Sequence, residues 1–460
     1  MKKINDLIDV NYDFEVLGIT DDSRLVKDGY VFVATQGFNV DHYNYISQAI
    51  SKGCIFIVSD REISIDFPHI VVDDINKYYK ELCIKYYDID LNDFCFIGIT
   101  GTDGKTTTAT IVSELIDDCA YIGTNGLKVG NISSSTSNTT PCVSELYEKL
   151  SYIKNQSVVN TVMEVSSEAL LHDRVANLKF DIVAFTNITG DHLNVHGSFE
   201  NYVNCKLKLL DLLKDDGIVI INGDDPNLEI IEHSNLYKIG KKISNDFIIR
   251  NYKKIGNYIK IYLDYKDMSY VIESPFRGDY NVYNVVMSFV IAFLSGVKVE
   301  KIISKIKRLK PVSGRGEFLD FGQDFDIVLD YAHTINGIRS VLEAFKKYKR
   351  VIVVTGCAGG REKSKRKIIG DMIIKNSDIA IFTMDDPRYE SVDEIINEMV
   401  GDNKDYVRII DRSEAINYAL SIADKDSIVL ILGKGRDNYM AIEDKKIPYN
   451  DYDVVAKYFM

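Results

Sequence analysis

A turn bracketed by two glycines, Gly101 and Gly104, follows directly on the apolar run 94–100 and leads into Lys105 and Thr106. The glycines allow the backbone N–H groups of the turn to point inward, where they can hold phosphate oxygens. Lys105 supplies a positive charge for β- and γ-phosphates, and the Thr106 hydroxyl suits Mg²⁺. We therefore predict a strand, a loop that binds the phosphates of a nucleotide triphosphate, and a helix that begins near Lys105.

The glycine pattern of this loop is incomplete. The full pattern G-x-x-x-x-G-K-[ST] places a glycine at position 99, where this chain has Ile99, and Gly98 stands one position earlier. A strand, turn and helix without a ligand is the alternative interpretation. The order of the three predicted elements favours phosphate binding.

Polar side chains also follow two further predicted strands. Glu164 ends one of them, and Asn187, Asp191, His192 and His196 come after the next. Ligands of open α/β sheets collect beyond the carboxyl ends of the strands. Carboxylate and amide oxygens suit Mg²⁺, whereas histidine is a less usual partner, so a hydrogen-bonded turn histidine fits His192 equally well.

Short apolar runs alternate with stretches of helical period along almost the whole chain, which predicts an α/β protein with parallel layers. We expect a helix over 76–87 and an antiparallel addition over 246–272. The other predicted strands lie at 54–58, 158–164, 181–186, 217–221, 326–330, 351–355, 379–383 and 427–432. A length of 460 residues suggests two to four domains.

The composition excludes several classes of protein. A net charge of −13, from 55 basic and 68 acidic residues, disfavours nucleic acid as a partner. The seven cysteines are scattered and never spaced as C-x-x-C, so we expect reduced thiols in a cytoplasmic protein. No run of 18 apolar residues occurs, and we predict neither a signal peptide nor a membrane span.

Several segments together resemble the Mur ligases, and most closely the MurE branch of that family. They occur in the family's order over nearly the whole chain, at residues 22–24, 31–34, 101–107, 138–141, 163–167, 186–197, 278–284, 314–317, 330–334, 356–361 and 385–388. The resemblance implies a three-domain α/β architecture. Residues 1–90 would form an N-terminal uridine-nucleotide-binding domain, 91–311 a central P-loop ATPase domain, and 312–460 a C-terminal Rossmann-like domain that binds the amino acid.

The resemblance also implies a reaction. An ATP-dependent amide ligase of this branch adds a diamino acid, meso-diaminopimelate or L-lysine, to UDP-N-acetylmuramoyl-L-alanyl-D-glutamate through an acyl phosphate, in peptidoglycan precursor synthesis. Such an enzyme works as a cytoplasmic monomer without nucleic acid or membrane insertion. The alternatives are a diverged paralogue and a folylpolyglutamate synthase-like ligase that joins another amino acid to another carboxylate. A nicotinamide dehydrogenase fits poorly because residues 356–360 are not G-x-G-x-x-G.

The matching positions imply the residues that handle ATP and its metal. The residues that bind ATP are Gly101, Thr102, Asp103, Gly104, Lys105, Thr106 and Thr107, with Asn281 and Asn284 on the adenine side. Thr106 would bind a first Mg²⁺ at the phosphates, and Glu164 and His192 would bind a second metal nearer the acceptor carboxylate. Lys206 would be a metal ligand as a carbamate. The catalytic set implied is Lys105, His192, Lys206, Arg315, Asp330 and His333, in which Arg315 neutralises charge on the γ-phosphate.

Two of these assignments have simpler alternatives. Lys206 lies on a predicted helix capped by Ser198, with an apolar stripe of Tyr202, Cys205, Leu209 and Leu213. Spacing alone favours a solvated lysine beside Lys208, and the family resemblance reverses that preference. Helix capping explains Asn281 and Asn284 nearly as well as adenine binding.

The remaining matches concern the two other substrates. The nucleotide-sugar peptide would contact Ser23, Thr139, Thr140, Ser166 and Arg174, and the amino acid would contact Arg361, Asp385, Asp386, Arg388, Gly433 and Asp437. Arg361 and Arg388 favour an amino acid with a second carboxylate. Asp386 replaces the asparagine of the diaminopimelate-adding branch and favours the ammonium of lysine, unless it caps the next helix. The sequence leaves this choice open.

Overall fold

The computed structural model describes residues 2–36, 41–190 and 193–460. Strands and helices alternate along the chain, which confirms the α/β class. Up to residue 94 the elements are β1 (Lys2–Lys3), α1 (Ile4–Leu7), β2 (Glu15–Val16), β3 (Gly18–Thr20), β4 (Tyr30–Val33), α2 (Ile46–Ser51), β5 (Cys54–Ser59), β6 (His69–Val71) and α3 (Ile75–Tyr87). Short 3₁₀ helices lie at His42–Tyr45, Leu91–Asp93, Lys208–Leu212 and Pro226–Leu228.

The middle stretch carries the phosphate loop. Its strands are β7 (Cys95–Thr100), β8 (Cys119–Gly123), β9 (Gly126–Val129), β10 (Ile132–Ser134), β11 (Asn160–Glu164), β12 (Phe180–Phe185), β13 (Leu213–Asn222), β14 (Leu236–Gly240), β15 (Phe247–Ile255), β16 (Tyr258–Tyr265) and β17 (Met268–Ser274). Its helices are α4 (Lys105–Leu115), α5 (Val143–Asn155), α6 (Ser167–Leu171), α7 (Leu193–His196), α8 (Phe199–Leu207), α9 (Asp279–Leu294) and α10 (Val299–Arg308).

The last stretch alternates strands and helices more regularly. Its strands are β18 (Glu317–Leu319), β19 (Asp326–Asp330), β20 (Arg350–Thr355), β21 (Ile379–Phe382), β22 (Val407–Arg408), β23 (Ser427–Leu432), β24 (Tyr439–Ile442) and β25 (Lys445–Pro448). Its helices are α11 (Ile335–Phe345), α12 (Ser364–Asn376), α13 (Val392–Val400), α14 (Arg412–Ser421) and α15 (Asp451–Phe459). All the strands predicted from sequence are present, within a few residues of the expected bounds, and 246–272 forms the antiparallel strands β15, β16 and β17.

The chain divides into two compact units. The first contains the described residues up to Thr100, with Ile116–Ala184 and Cys205–Val219. It holds the parallel sheet β3-β4-β5-β6 and the strand order β10-β9-β8-β11-β7-β12. Parallel pairing of β11 with β7 sets Glu164 beside Ile99, so the carboxylate lies at the carboxyl end of these strands.

The second unit contains Gly101–Leu115, Phe185–Asn204 and Ile220–Met460. Its six-stranded sheet has the order β18-β19-β23-β20-β21-β22 and is parallel apart from β18. Helices α11, α12 and α13 bury their apolar faces in one core cluster, and α14 and α15 bury theirs in another, as in a Rossmann-like layer. The domain bounds expected at residues 90 and 311 stay a prediction.

None of the helices within the described residues is both long and apolar enough to cross a bilayer.

Gly98 stands one position before the first glycine of the full phosphate-loop pattern, and its role is in packing. It lies inside β7, and a Cβ added there would sit 2.8 Å from the ring of Phe180 on β12. Ile99, where the full pattern has glycine, is fully buried in the same strand. The phosphate loop itself therefore starts after β7, at Gly101.

We predict that Gly98→Ala lowers the free energy of unfolding by about 1–3 kcal/mol, because overpacking forces the Phe180 ring or the strand to shift. Thermal or urea unfolding measures the change. Gly190→Ala is the matched control, since a Cβ at Gly190 would meet nothing within 4 Å. Equal stability of the two variants would contradict the packing role.

Candidate active site

The phosphate loop connects β7 to α4, whose first residue is Lys105, as predicted. Gly104 has a φ of +86°, a backbone conformation that favours glycine. A Cβ at Gly104 would lie 2.4 Å from Oδ1 of Asn284, and one at Gly101 would lie 1.9 Å from the Thr186 hydroxyl. Both glycines are therefore needed for the close approach of neighbouring side chains as well as for the turn.

The segment that follows β12 holds the backbone of this loop. The Asn187 carbonyl accepts from Thr102 N at 2.8 Å, and its side-chain Oδ1 accepts from Asp103 N at 3.0 Å. The Asp103 carbonyl accepts from Thr186 Oγ1 at 2.7 Å and from Asn187 Nδ2 at 2.9 Å. The Thr102 side-chain oxygen accepts from Thr189 N at 2.9 Å and lies 3.0 Å from the Tyr202 hydroxyl.

The side chains of Lys105 and Thr106, which follow the two glycines, both form hydrogen bonds at the loop. Lys105 Nζ donates to the carbonyls of Gly101 and Thr102 at 2.8 and 2.9 Å. Thr106 and Thr107 are buried, and the Thr106 hydroxyl accepts from Arg315 Nη2 at 3.2 Å. Arg315 thus lies against the loop, and its role in neutralising phosphate charge stays a prediction.

Asn281 and Asn284 lie inside α9, whose N-cap residue is Gly278, so the helix-capping interpretation is wrong. Asn284 Nδ2 donates to Asn281 Oδ1 at 3.1 Å, and Asn281 Nδ2 donates to the Arg277 carbonyl at 2.8 Å. Both residues are buried, with Asn284 against Gly104. The pair therefore lines the α9 side of the phosphate loop.

Asp330 is the last residue of β19, and His333 lies in the segment that follows it. Asp330 accepts from Gly316 N at 2.5 Å and Ala332 N at 2.7 Å, and burial raises its pKa to about 6 although Arg315 opposes that shift. His333 is exposed, with Nδ1 2.8 Å from the Tyr331 carbonyl. The buried Thr334 hydroxyl donates to the Asp103 carboxylate at 3.1 Å, so this segment also contacts the phosphate loop.

Glu164 in the first unit is fully buried and tightly held. Its Oε1 accepts from the Tyr121 hydroxyl at 2.6 Å and from Thr124 N at 2.9 Å, and its Oε2 accepts from Thr124 Oγ1 at 3.3 Å. Sequence reasoning did not identify Tyr121 and Thr124, since neither lies in a motif that carries the resemblance. These donors fix the carboxylate in one orientation.

Four of the predicted contacts to the nucleotide-sugar peptide gather around the end of β11. Thr140 Oγ1 donates to the Glu164 carbonyl at 2.8 Å and accepts from Ser166 N at 3.0 Å. Arg174 Nη1 donates to the Thr140 carbonyl at 3.1 Å, and the hydroxyl oxygens of Thr139 and Thr124 are 3.1 Å apart. Ser23 is buried elsewhere in the unit and donates to Gln48 at 2.6 Å.

Lys206 is only 1% exposed, so the alternative of a solvated lysine is wrong, whereas its neighbour Lys208 is exposed. The predicted cap is confirmed, since Asn201 N donates to Ser198 Oγ at 3.1 Å. The helix α8 ends at Leu207, however, and Leu213 begins β13, so the apolar stripe does not continue along one helix. His192, expected to be a metal ligand, lies outside the described residues.

The expected contacts to the amino acid occupy three loops of the second unit, after β20, β21 and β23. Gly359 N donates to the Asp386 carbonyl at 2.8 Å, and Gly433 N donates to the Asp330 carbonyl at 3.1 Å. A Cβ at Gly433 would lie 2.5 Å from Oδ2 of the buried Asp385, and one at Gly360 would lie 3.7 Å from Nη1 of Arg388. These contacts bring most of the set together, while Arg361 is exposed.

A buried lysine that the sequence did not single out lies among the acidic residues of these loops. Lys434 Nζ is 2.8 Å from Asp386, 3.7 Å from Asp437 and 4.0 Å from Asp385. Asp386 also accepts from Ala441 N at 2.9 Å and does not cap a helix, since α13 begins at Val392 after the cap Ser391. Burial raises the pKa of Asp437 to about 6, which Lys434 opposes.

The fold and these side chains define an α/β enzyme with a loop for nucleotide phosphates. Family models match two parts of the chain: the Mur ligase middle domain at residues 99–292, and the Mur ligase glutamate ligase domain at residues 314–435. Two similar curated proteins come from Fusobacterium nucleatum and Caldanaerobacter subterraneus, each 34% identical. The alignments cover 98% and 99% of this chain and 95% and 97% of those proteins, and both are named UDP-N-acetylmuramoyl-L-alanyl-D-glutamate–2,6-diaminopimelate ligase.

The chain belongs to the Mur ligase family and is an ATP-dependent amide ligase. A solved structure of a protein with the same name covers 100% of this chain and 98% of its own, with a TM-score of 0.65 at 24% identity. A MurF ligase from Thermotoga maritima, in complex with ADP, has a TM-score of 0.66 at 19% identity and covers 90% of this chain and 93% of its own. These structures confirm the α/β fold of the Mur ligases, and the division into three domains stays a prediction.

We predict that Gly104→Ala lowers the affinity for ATP at least tenfold, or about 1.4 kcal/mol, because the new Cβ strains the backbone and meets Asn284. Calorimetric titration with ATP or ADP measures the change. Gly256→Ala is the matched control, since Gly256 also has a positive φ, +57°, with nothing within 4 Å of the added Cβ. Unchanged affinity of Gly104→Ala would contradict the assigned geometry.

Proposed function

We propose that this chain joins diaminopimelate to the glutamate carboxylate of UDP-N-acetylmuramoyl-L-alanyl-D-glutamate. The names of full-length relatives support this choice of substrates. The structural observation that supports diaminopimelate as the substrate is the ion pair of Lys434 with Asp386, at 2.8 Å. Because Lys434 already neutralises Asp386, this aspartate no longer favours the lone ammonium of lysine.

The arginines of the same loops favour a second carboxylate. The distal end of diaminopimelate carries an ammonium and a carboxylate, whereas L-lysine has only the ammonium. Within the described residues, Arg361 and Arg388 form no ion pair, so both guanidinium groups are available to a carboxylate. Asp385 and Asp437 would accept the ammonium.

The proposed chemistry activates a carboxylate that would otherwise repel nucleophiles. A glutamate carboxylate oxygen attacks the γ-phosphorus of ATP, ADP leaves, and an acyl phosphate forms. The amino group then attacks the acyl carbon, phosphate leaves and the amine loses a proton. Phosphoryl transfer depends mainly on positioning and neutralised charge, which Lys105 and Arg315 would supply beside the loop.

The residues present suit Mg²⁺, which prefers hard oxygen ligands. Thr106 would offer a hydroxyl to a first Mg²⁺ at the phosphates. Glu164 would offer a second metal its carboxylate, whose orientation Tyr121 and Thr124 fix. His192 would share the second metal with Glu164, and Lys206 would be a metal ligand as a carbamate, formed when its amine adds to CO₂ with loss of a proton. Bound Mg²⁺ would neutralise the charge that develops on the phosphates during transfer.

We further propose that the enzyme is a cytoplasmic monomer, with His333 and Asp330 beside ATP. Ser23, Thr139, Thr140, Ser166 and Arg174 would bind the nucleotide-sugar peptide. Hydroxyl groups and one arginine suit its diphosphate and peptide carboxylates.

We predict that the purified protein releases phosphate with ATP, Mg²⁺, the UDP-linked dipeptide and meso-diaminopimelate, and that the product mass corresponds to the tripeptide. Parallel reactions with L-lysine and L-ornithine should be much slower. Faster reaction with L-lysine would contradict the amino acid assigned. ATP binding without any turnover would indicate a diverged ligase with another carboxylate substrate.

We predict that Lys206→Ala nearly abolishes turnover, because the proposed metal ligand is lost, and that acetate or formate partly restores it by supplying a carboxylate. Lys208→Ala, at the exposed neighbouring position, is the control and should keep wild-type activity. Full activity of Lys206→Ala without added acid would remove the carbamate from the mechanism.

A further inference from the structure

We propose that Lys434 determines amino-acid specificity as the internal counter-ion of Asp386. The diaminopimelate-adding branch has a neutral asparagine at this position, and Lys434 allows an aspartate there without adding net negative charge to the pocket. The inference rests on the proposed function, since it concerns the amino-acid pocket of that reaction. Lys434 acts through Asp386 and is a positioning residue.

The burial of Lys434 supports this role. Its side chain is 1% exposed, so its ammonium has lost most of its hydration and depends on protein partners. The shortest contact is with Asp386, at 2.8 Å, while Asp437 and Asp385 are 3.7 and 4.0 Å away. The ammonium is therefore committed first to Asp386.

The geometry of Asp386 is compatible with an amide. Its Oδ1 accepts both from Lys434 Nζ, at 2.8 Å, and from Ala441 N, at 2.9 Å. An asparagine Oδ1 could accept the same two hydrogen bonds. Asp386→Asn therefore preserves these contacts and mainly removes one negative charge.

The net charge of the four side chains Asp385, Asp386, Lys434 and Asp437 determines which amino acid binds better. Together, Asp386 and Lys434 have no net charge, which leaves Asp385 and Asp437 for the distal ammonium. Removal of the Lys434 charge adds an uncompensated anion, which favours L-lysine and repels the carboxylate of diaminopimelate. Removal of the Asp386 charge has the opposite effect, because the ammonium of Lys434 then remains without its closest anion.

The test measures KM for meso-diaminopimelate and the inhibition constant of L-lysine as its competitor. We expect Lys434→Gln to lower selectivity for diaminopimelate over L-lysine about tenfold, and Asp386→Asn to raise it. The double variant should return close to the wild-type selectivity, with kcat changing less than KM throughout. Arg408→Gln is the matched charge-removal control, since Arg408 pairs with Asp393 elsewhere in the unit.

The proposal would be overturned if both single variants changed the selectivity for diaminopimelate over L-lysine in the same direction. It would also be overturned if the double variant were no more selective than Lys434→Gln. If Lys434→Gln does not fold, Asp386→Asn alone still tests the proposal, which expects a higher selectivity for diaminopimelate. Unchanged or reduced selectivity of Asp386→Asn would refute the proposal. Failure of the wild-type enzyme to use either amino acid would instead refute the proposed function and with it the selectivity role. In that case melting temperatures of the four proteins still show whether Lys434 and Asp386 are coupled.

Discussion

The phosphate loop keeps its shape because one neighbouring segment satisfies its backbone polar groups. Asn187 uses both its side chain and its carbonyl for this purpose, and Thr186 and Thr189 complete the set. A buried N–H or carbonyl without a partner costs about 1–3 kcal/mol, so loss of these bonds would destabilise this conformation of the loop. The position of Lys105, and hence any charge offered to phosphate, depends on these bonds.

Contacts from the last part of the chain reach the same loop. Arg315 donates to Thr106 and Thr334 donates to Asp103, across 209 and 231 residues of sequence. Asp330 contacts both the segment of Arg315 and one of the loops expected to bind the amino acid. Its carboxylate accepts from Gly316 N, and its carbonyl accepts from Gly433 N at the start of the loop after β23. Nucleotide and amino-acid residues of the second unit are thus connected through the ends of β19 and β23.

Local patterns predicted the strands, the start of α4 and the loop glycines, because apolar periodicity and glycine conformation act over a few residues. Partners far along the chain were not predictable in this way. Tyr121 holds Glu164 from 43 residues away, and Lys434 holds Asp386 from 48. The burial of Lys206 depends similarly on tertiary packing, which spacing beside the exposed Lys208 could not indicate.

The same fold serves ligases with different substrates, so specificity must lie outside the sheet. The two solved structures that share this fold have different names, one a diaminopimelate ligase and the other a MurF ligase. The central strands β20, β21 and β23 consist mostly of buried apolar residues, which cannot recognise a charged amino acid. Recognition is left to the loops at their carboxyl ends. In these loops, the identity of one residue does not predict specificity by itself. A bound amino acid interacts with the combined charge of Asp386 and its partner Lys434, so both residues must be known.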